Sequence, residues 1–498
     1  MSSFLALCVG IVGALAPASG SLEAQTRALM QDQIREVLDR PALKGAKVGV
    51  YIVRLDDGAE IFSRAADTLF IPASNVKILT TSAALFSLGP DFRFHTEIAG
   101  EVGPDGVVKG DLHVKGYGDP TLVPERLWYL ASRLYFLGAR TILGDIIIDD
   151  SYFAGPALQV GWEQDESSSA YMAPAGAFSA GFNALMIHVL PGPAANSDAR
   201  VLIDPLSDYA KVDSTVKTIG RGRTSLTVEV EPFGDKSVVK VSGRISIKDE
   251  GQGFYRRVDN PALFAGEVLK RLLIQQGILV KGKVKTGLVP ADEKILVSLE
   301  SPRLAELLLR VNKNSSNFVA QQVAQTLGAE LYGAPGTWEK GRLAIESFLA
   351  TEVGIPRGTL VISNASGLHD VNRVTPRQLV KVLSFMRHRP DLWPEFSASF
   401  AVAAGSGTLA PRMHDTDAAH LLRAKTGTLS IASALSGFVP AKSGETFVFS
   451  ILVNDYTTSV HDVWQVQDAI GDLLAATSFA PPLPTTALGP STPREAHR

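Results

Sequence analysis

The sequence predicts a multidomain α/β protein in which an antiparallel sheet flanked by helices is split along the chain by a large, mainly β insertion. Three observations predict it. A β-hairpin and a short apolar helix stand near the N-terminus. From about residue 96 to 294 the texture turns to short alternating segments broken by Gly, Pro and Asp. From about 295 helical periodicity returns, and it closes on three consecutive strands. At 498 residues the chain exceeds one ordinary core, so more than one domain is expected. A hydrophobic content of 45% and a charged content of 20% are ordinary for a globular protein. The formal net charge of −3 provides no basic field, which argues against a nucleic-acid partner.

Taken in order, Phe4 to Ala18 is apolar and ends in small residues, with Ala16-Pro17-Ala18 and Leu22-Glu23-Ala24 as cleavage signals. Residues 1–24 therefore read as a secretory signal peptide, although Met1-Ser2-Ser3 lacks the usual Lys or Arg. The only cysteine, Cys8, falls inside it. The mature chain is then expected to have no disulfide and no reactive thiol, which suits an oxidising compartment. No later run reaches membrane-spanning length.

Residues 25–95 make the first part of the main domain. Thr26 to Asp39 has helical spacing. Val48 to Leu55, the turn Asp56-Asp57-Gly58, and Ala59 to Phe62 form the hairpin. Val76, Ile78, Leu79, Ala83, Ala84 and Leu85 then run to a stop at Gly89-Pro90, predicting a helix with Ser74 in its first turn.

Residues 96–294 form the insertion, divided into two nested subdomains, about 96–169 plus 279–294 and 170–278. Strands are expected at Asp145–Ile148, Leu185–Leu190, Leu226–Val230 and Val238–Ile247, with one helix at Ala262–Gln276. Residues 295–478 complete the main domain with helices at Leu304–Val311 and Phe318–Leu331. Strands follow at Ala424–Leu429, Ser433–Val439 and Thr446–Val453, and a closing helix at His461–Ala475. Residues 479–498, rich in Pro, Thr and Ser, are expected to be a disordered tail.

Chemistry concentrates in three short stretches: Ser74-Asn75-Val76-Lys77, Ser315-Ser316-Asn317 and Lys425-Thr426-Gly427-Thr428. Together they provide a hydroxyl nucleophile, a lysine one helical turn away on the same face, a second Ser/Asn pair, and a Lys-Thr-Gly strand. Each pattern alone is weak. S-x-x-K also occurs at Ser214–Lys217 and Ser237–Lys240, and K-T-G at Lys285–Gly287. Ser214 and Ser237 lie in alternating, Val/Thr-rich segments that read as strands, where positions i and i+3 point to opposite faces. For a lone S-x-x-K, a helix cap beside a solvated lysine is the ordinary explanation; the ordered set of three motifs argues against it.

That ordered set is found in penicillin-binding proteins and class A β-lactamases. The chain resembles, over nearly its whole mature length, the D-alanyl-D-alanine carboxypeptidase/endopeptidase family of class C low-molecular-mass penicillin-binding proteins. Further stretches are similar to family blocks: Gly110-Asp111-Leu112, Gly118-Asp119-Pro120-Thr121-Leu122, Ala173 to Ala177, and Ser366-Gly367-Leu368 through Asn372 to Pro376. The 241 positions between Ser74 and Ser315 are also characteristic. The resemblance implies a penicillin-binding/β-lactamase-like transpeptidase fold and a serine D-Ala-D-Ala carboxypeptidase, with endopeptidase activity left open. Its implied substrates are peptidoglycan stem peptides and its inhibitors β-lactam antibiotics.

The implied roles follow. Ser74 attacks the carbonyl, Lys77 takes its proton, Ser315 relays a proton to the leaving amine, and Asn317 holds Lys77 and the substrate amide. Lys425, with Thr426 and Thr428, binds the terminal carboxylate, while Gly427 lets the strand come close. The backbone N–H groups of Ser74 and Thr428 form the oxyanion hole. Asp165 or Glu166, with Tyr171 as a wall, is implied to recognise a free amine on the stem peptide. No cofactor and no metal are expected. The implied location is the periplasm or cell envelope, with peripheral membrane association left open.

One departure stands out. Relatives commonly read Asp-Gly-Ser-Gly-Leu-Ser-Arg where this chain reads Asn364-Ala365-Ser366-Gly367-Leu368-His369-Asp370. An arginine is thereby replaced by Asp370, which leaves stem-peptide preference open. His369 reads as a surface loop histidine. The alternatives are a β-lactamase or esterase of the same fold, or a non-catalytic wall-binding protein. The absence of a Glu-x-x-Leu-Asn motif and the presence of every motif residue argue against them.

Overall fold

A computed structural model describes residues 18–478 apart from 157, 163, 164 and 166. The tail expected at 479–498, Cys8 and most of the signal segment lie outside the described residues, as does Glu166. The main sheet has six strands in the order Ala401–Val402, Arg423–Leu429, Ala432–Pro440, Thr446–Asn454, Lys47–Arg54, Glu60–Arg64, all antiparallel. The expected N-terminal hairpin and the three late strands thus share one sheet, joined by the pairing of Val50 with Ile451.

Alternation along each strand sorts side chains to two cores, as a period of two requires. Val50, Ile52, Phe447, Phe449, Ile451 and Val453 face helices Ala18–Leu38 and Val460–Ala476, meeting Ile34, Ile470 and Leu474. Tyr51, Val53, Val448 and Leu452 face the opposite layer, built on helix Val76–Leu88. Every residue of that helix from Val76 to Leu85 is buried. It sits between the sheet and helices Leu304–Asn312, Asn317–Tyr332, Trp338–Thr351 and Pro376–Arg387, which explains its apolar residues all round.

The insertion carries a five-stranded sheet in the order Val284–Thr286, Ile146–Asp149, Leu112–Gly116, His95–Ala99, Ile295–Glu300. It therefore runs on to Glu300 and the expected boundary at 294 falls short, because Ile295–Glu300 pairs with His95–Ala99. It also holds two smaller groups of strands formed between Ala184 and Arg257. Two helices, Pro124–Phe136 and Pro261–Gln275, cover it, where the sequence predicted only the second. The missed helix buries Leu127, Leu130, Ala131 and Leu134 at helical spacing. Its outer face mixes Trp128, Tyr129 and Phe136 with Glu125 and Arg133. A second correction concerns Ser74. It lies in a 3-10 turn, Ala73–Asn75, that runs directly into the α-helix beginning at Val76.

One buried amide helps to hold the insertion against the main domain, beside the backbone bonds of Tyr152 and Ala154 to Gly336. Gln322, on helix Asn317–Tyr332, donates to Gly176 O (2.9 Å) and Gly118 O (3.3 Å) and accepts from Gly176 N (3.1 Å). Gln322→Leu keeps the volume but orphans these buried backbone groups, at about 1–3 kcal/mol for each one left without a partner. The variant is expected to melt several degrees lower and to raise KM for a stem peptide. An unchanged melting temperature in calorimetry would show that this amide does not fasten the insertion.

Candidate active site

The three motifs meet at one end of the main sheet. Helix Val76–Leu88 presents Lys77 one turn beyond Ser74, and Lys77 Nζ lies 3.0 Å from Ser74 Oγ. The same nitrogen lies 2.7 Å from Asn317 Oδ1, at the start of helix Asn317–Tyr332, and donates to Ser366 O. Lys77 is completely buried, and among the described residues no carboxylate touches it. Burial, reinforced by the charge of Lys425, holds its pKa well below the usual lysine range.

Lys425 comes from the strand Arg423–Leu429. Its Nζ donates to Ser315 Oγ (2.9 Å) and Thr426 O (2.7 Å), and burial lowers its pKa to about 7. Ser315 takes a left-handed backbone (φ 61°) in the short turn between two helices. Thr426 Oγ1 donates to Thr408 Oγ1 at 2.7 Å, and Thr428 is exposed. The neighbouring strand Ala401–Val402 pairs only with Arg423 and Ala424, so beyond them the outer edge of 425–429 is open to an extended peptide.

Two glycines make the crowding around Ser74 tolerable. A Cβ on Gly427 would lie 2.9 Å from Pro72 O and 3.0 Å from Ser74 N. One on Gly367 would lie 1.9 Å from Ala73 O, and Gly367 is itself left-handed at φ 76°. Ala73, directly before Ser74, is also left-handed at φ 45°. The strained residue and both glycines sit against the backbone of Ser74, the place where a structure stores strain for chemistry.

The insertion reaches the site through one loop. Tyr171 O accepts from Asn317 Nδ2 at 3.0 Å, while Tyr171 Oη donates to Asp165 Oδ2 at 2.7 Å. Asp165 also accepts from Ser167 N at 2.8 Å. The Tyr171 hydroxyl first, then Ser167, with a smaller contribution from His369, hold the Asp165 carboxyl below its usual range. Asp370 is exposed on the same loop as Ser366.

The decoy motifs lie elsewhere. Ser214 ends one strand and Lys217 opens another, where it pairs with Asp198 at 2.5 Å. Lys240 pairs with Glu231 at 2.6 Å, and Lys285 with Asp145. Three contributors had not been singled out from sequence: Ser366 O, Thr408 and Asn75. The Asn75 amide joins Ser436 Oγ (2.7 Å) to Lys425 O (2.9 Å). Only the Asn/Ser/Gly cluster at 363–367 carried a signal, that of a tight turn, and Asn364 Oδ1 indeed accepts from Gly367 N at 2.8 Å.

The model of the D-Ala-D-Ala carboxypeptidase 3 (S13) family matches residues 30–477. The chain belongs to this family. It is an enzyme, a serine peptidase of the D-Ala-D-Ala carboxypeptidase class. It is 36% identical to the D-alanyl-D-alanine carboxypeptidase of Actinomadura sp. (strain R39) over 483 residues, 94% of this chain and 87% of that one. Its fold is similar to that of penicillin binding protein 4 (dacB) from Haemophilus influenzae, with a TM-score of 0.78 and 24% identity over 87% of this chain and 97% of that one. A second structure of the Haemophilus protein, complexed with a β-lactam, gives a TM-score of 0.74 at 23% identity over 89% of this chain and 100% of that one.

Gly427→Ala tests the crowding. The added methyl presses on backbone at the nucleophile rather than on a movable side chain. Acylation by a penicillin is expected to slow by about 100-fold, the order lost when one oxyanion donor is misplaced, with little change in melting temperature. Stopped-flow acylation at the wild-type rate would show that the strand does not need this close approach.

Proposed function

We propose that Ser74 is the nucleophile of the peptidase and that neutral Lys77 is its base. One observation carries this reading: a lysine amine, buried without a carboxylate, lies 3.0 Å from the only serine hydroxyl it touches. A neutral amine has two N–H donors and one lone pair. Asn317 Oδ1 and Ser366 O are acceptors and take the two donors. The lone pair is left for the Ser74 hydroxyl, which then donates its proton to nitrogen as its oxygen attacks.

The carbonyl attacked is that between the last two D-alanines of a peptidoglycan stem peptide. The C–N bond breaks, and the proton held by Lys77 returns to the leaving amine with Ser315 Oγ as relay. Water then hydrolyses the Ser74 ester. Protonated Lys425 pairs with the terminal carboxylate, helped by Thr426 and Thr428. The N–H groups of Ser74 and Thr428 stabilise the oxyanion. A β-lactam enters as a mimic of the same amide and leaves a long-lived ester on Ser74. Asp165 and Tyr171 receive a free ammonium on the stem peptide, and the apolar leader with a cell-wall substrate supports action in the periplasm or cell envelope.

Labelled penicillin is expected on the peptide that contains Ser74 when the acylated protein is digested and mapped by mass spectrometry. Label on Ser214 or Ser237 would overturn the assignment. Lys77→Arg keeps a cationic stem that cannot deprotonate, so turnover is expected to fall about 10²–10⁴-fold. Near-normal peptidase activity in a folded Lys77→Arg protein would remove Lys77 as base.

Lys425 gives a pH signature. The group is needed charged and its pKa in the free enzyme is about 7, so the competent fraction is full below that pH and is lost above it. For a peptide with a free terminal carboxylate, kcat/KM is expected to fall about tenfold per unit on the alkaline side. A carboxamide-ended analogue lacks that limb; identical profiles for the two would refute the carboxylate role.

Asp165→Ala is expected to narrow the preference for a stem peptide with a free amine over its acetylated form by up to about fivefold, the range of a partly exposed ion pair. Acylation by a simple penicillin is expected to stay unchanged. Undiminished discrimination would move the specificity site to Asp370.

A further inference from the structure

The helix Pro124–Phe136 has two unlike faces, and the outer one is not what an ordinary surface helix shows. Its inner stripe enters the insertion core. Its outer stripe, at helical spacing, carries Trp128 (50% exposed), Tyr129 (46%), Arg133 and Phe136 (82%). Single exposed apolar side chains are normal. Three large aromatics along one stripe of a 13-residue helix form a patch, and patches mark partners.

The neighbouring helix Pro261–Gln275 extends the patch. Leu272 lies beside Trp128 and Tyr129 in one shallow surface groove. Further along, Arg140 lays its guanidinium over the Tyr135 ring at 3.7 Å, next to Phe136.

Charge selects the partner. The whole chain has a formal charge of −3, yet residues 124–143 and 270–283 hold seven Lys and Arg and a single acid, Glu125. Arg140 and Lys270 give their hydrogen bonds to backbone carbonyls, of Tyr135, Ala139 and Gly282. Among the described residues neither of these, nor Arg133 or Arg271, is ion-paired with a carboxylate. Arg126 pairs with Asp119 at 3.6 Å, and Glu267 stands near Lys270. That leaves Arg133, Arg140 and Arg271 around exposed Trp, Tyr and Phe, a match to a bilayer interface: the rings sit at headgroup depth and the cations meet lipid phosphates.

We propose that the outer face of the two insertion helices is a docking surface for an anionic phospholipid bilayer. It goes beyond the peptidase reading and does not depend on it, because no residue of the catalytic site belongs to this face. Docking there would hold the enzyme on a membrane surface and fix which way the Ser74 site faces.

The secreted chain, with its N-terminus established by mass, is mixed with vesicles of phosphatidylglycerol and phosphatidylethanolamine, and separately with vesicles of phosphatidylcholine. Wild type is expected to co-sediment with the first and weakly with the second, and Trp128 fluorescence to shift to the blue. Trp128→Phe should bind and lose that shift. The triple variant W128S/Y129S/F136S should lose at least about tenfold in binding, and R133Q/R271Q about fivefold per cation removed. Both should cleave a soluble peptide like wild type, which shows that they are folded.

Absence of vesicle binding, or equal binding by the triple variant, overturns the proposal. So does a wild-type dimer in sedimentation velocity that the triple variant converts to monomer, which would assign the face to a second copy. Retention on purified cell-wall sacculi that depends on the aromatics, without vesicle binding, would likewise assign it to glycan.

Discussion

The structure depends on the burial of one amine. Lys77 Nζ is enclosed by three segments far apart in sequence, at 74, 317 and 366. Removing an ammonium from water without a counter-ion is prohibitively costly, and the group escapes by giving up its proton. Every neighbour is consistent with that outcome: two acceptors, one hydroxyl, no carboxylate. The usual rule that a buried charge needs an opposite charge is here replaced by a rule that a buried base must not have one. An acid beside Lys77 would stabilise the protonated form and remove the lone pair that Ser74 requires.

A second buried lysine makes the first one effective. Lys425 also lacks a carboxylate, and burial brings its pKa to about 7, so near neutrality the two amines compete for protons in one dry pocket. Repulsion between them places the charge on one at a time. Burial lowers both amines, and the charge of Lys425 lowers Lys77 further. A substrate carboxylate at Lys425 fixes that division. Under the proposed roles, the terminal carboxylate of the peptide does more than anchor the substrate: it would hold the proton on Lys425 and leave Lys77 neutral. A substrate lacking it would bind a pocket whose proton is not assigned.

Much of this was legible in the sequence, for reasons that particular residues make clear. Ser74 and Lys77 are separated by one helical turn, so their contact follows from local spacing. The sheet was readable because Thr446–Asn454 and Lys47–Arg54 are buried on both faces and carry long β-branched and aromatic runs. Other features were harder to read. Ser366 lies in a stretch that carried a turn signal, but its contribution is a backbone carbonyl, which any residue could supply. The left-handed φ of Ala73 and Ser315 is imposed by tertiary packing, against the preference of both residue types. Gln322 reads as an exposed polar residue on a helix until the insertion closes over it. The helix Pro124–Phe136 did carry a helical signal, Leu127, Leu130, Ala131 and Leu134 set against Glu125, Arg126 and Arg133, but it stands alone among the short strand-like segments around it.

The insertion acts on the chemistry through a single amide. Asn317 offers its oxygen to Lys77 and its nitrogen to Tyr171 O. The two contacts fix each other. With the amide reversed, NH₂ would face the N–H bonds of Lys77 and the oxygen would face a carbonyl, leaving two repulsive contacts, the first of them part-buried. The carbonyl of Tyr171 thus decides which atom Lys77 meets, and Tyr171 in turn is held by its hydroxyl on Asp165. A peptide side chain that engages Asp165 pulls on the same residue whose backbone orients Asn317. Under the proposed roles, recognition and base strength are two ends of one chain of hydrogen bonds, Asp165–Tyr171–Asn317–Lys77, through which the insertion stays coupled to the domain it interrupts.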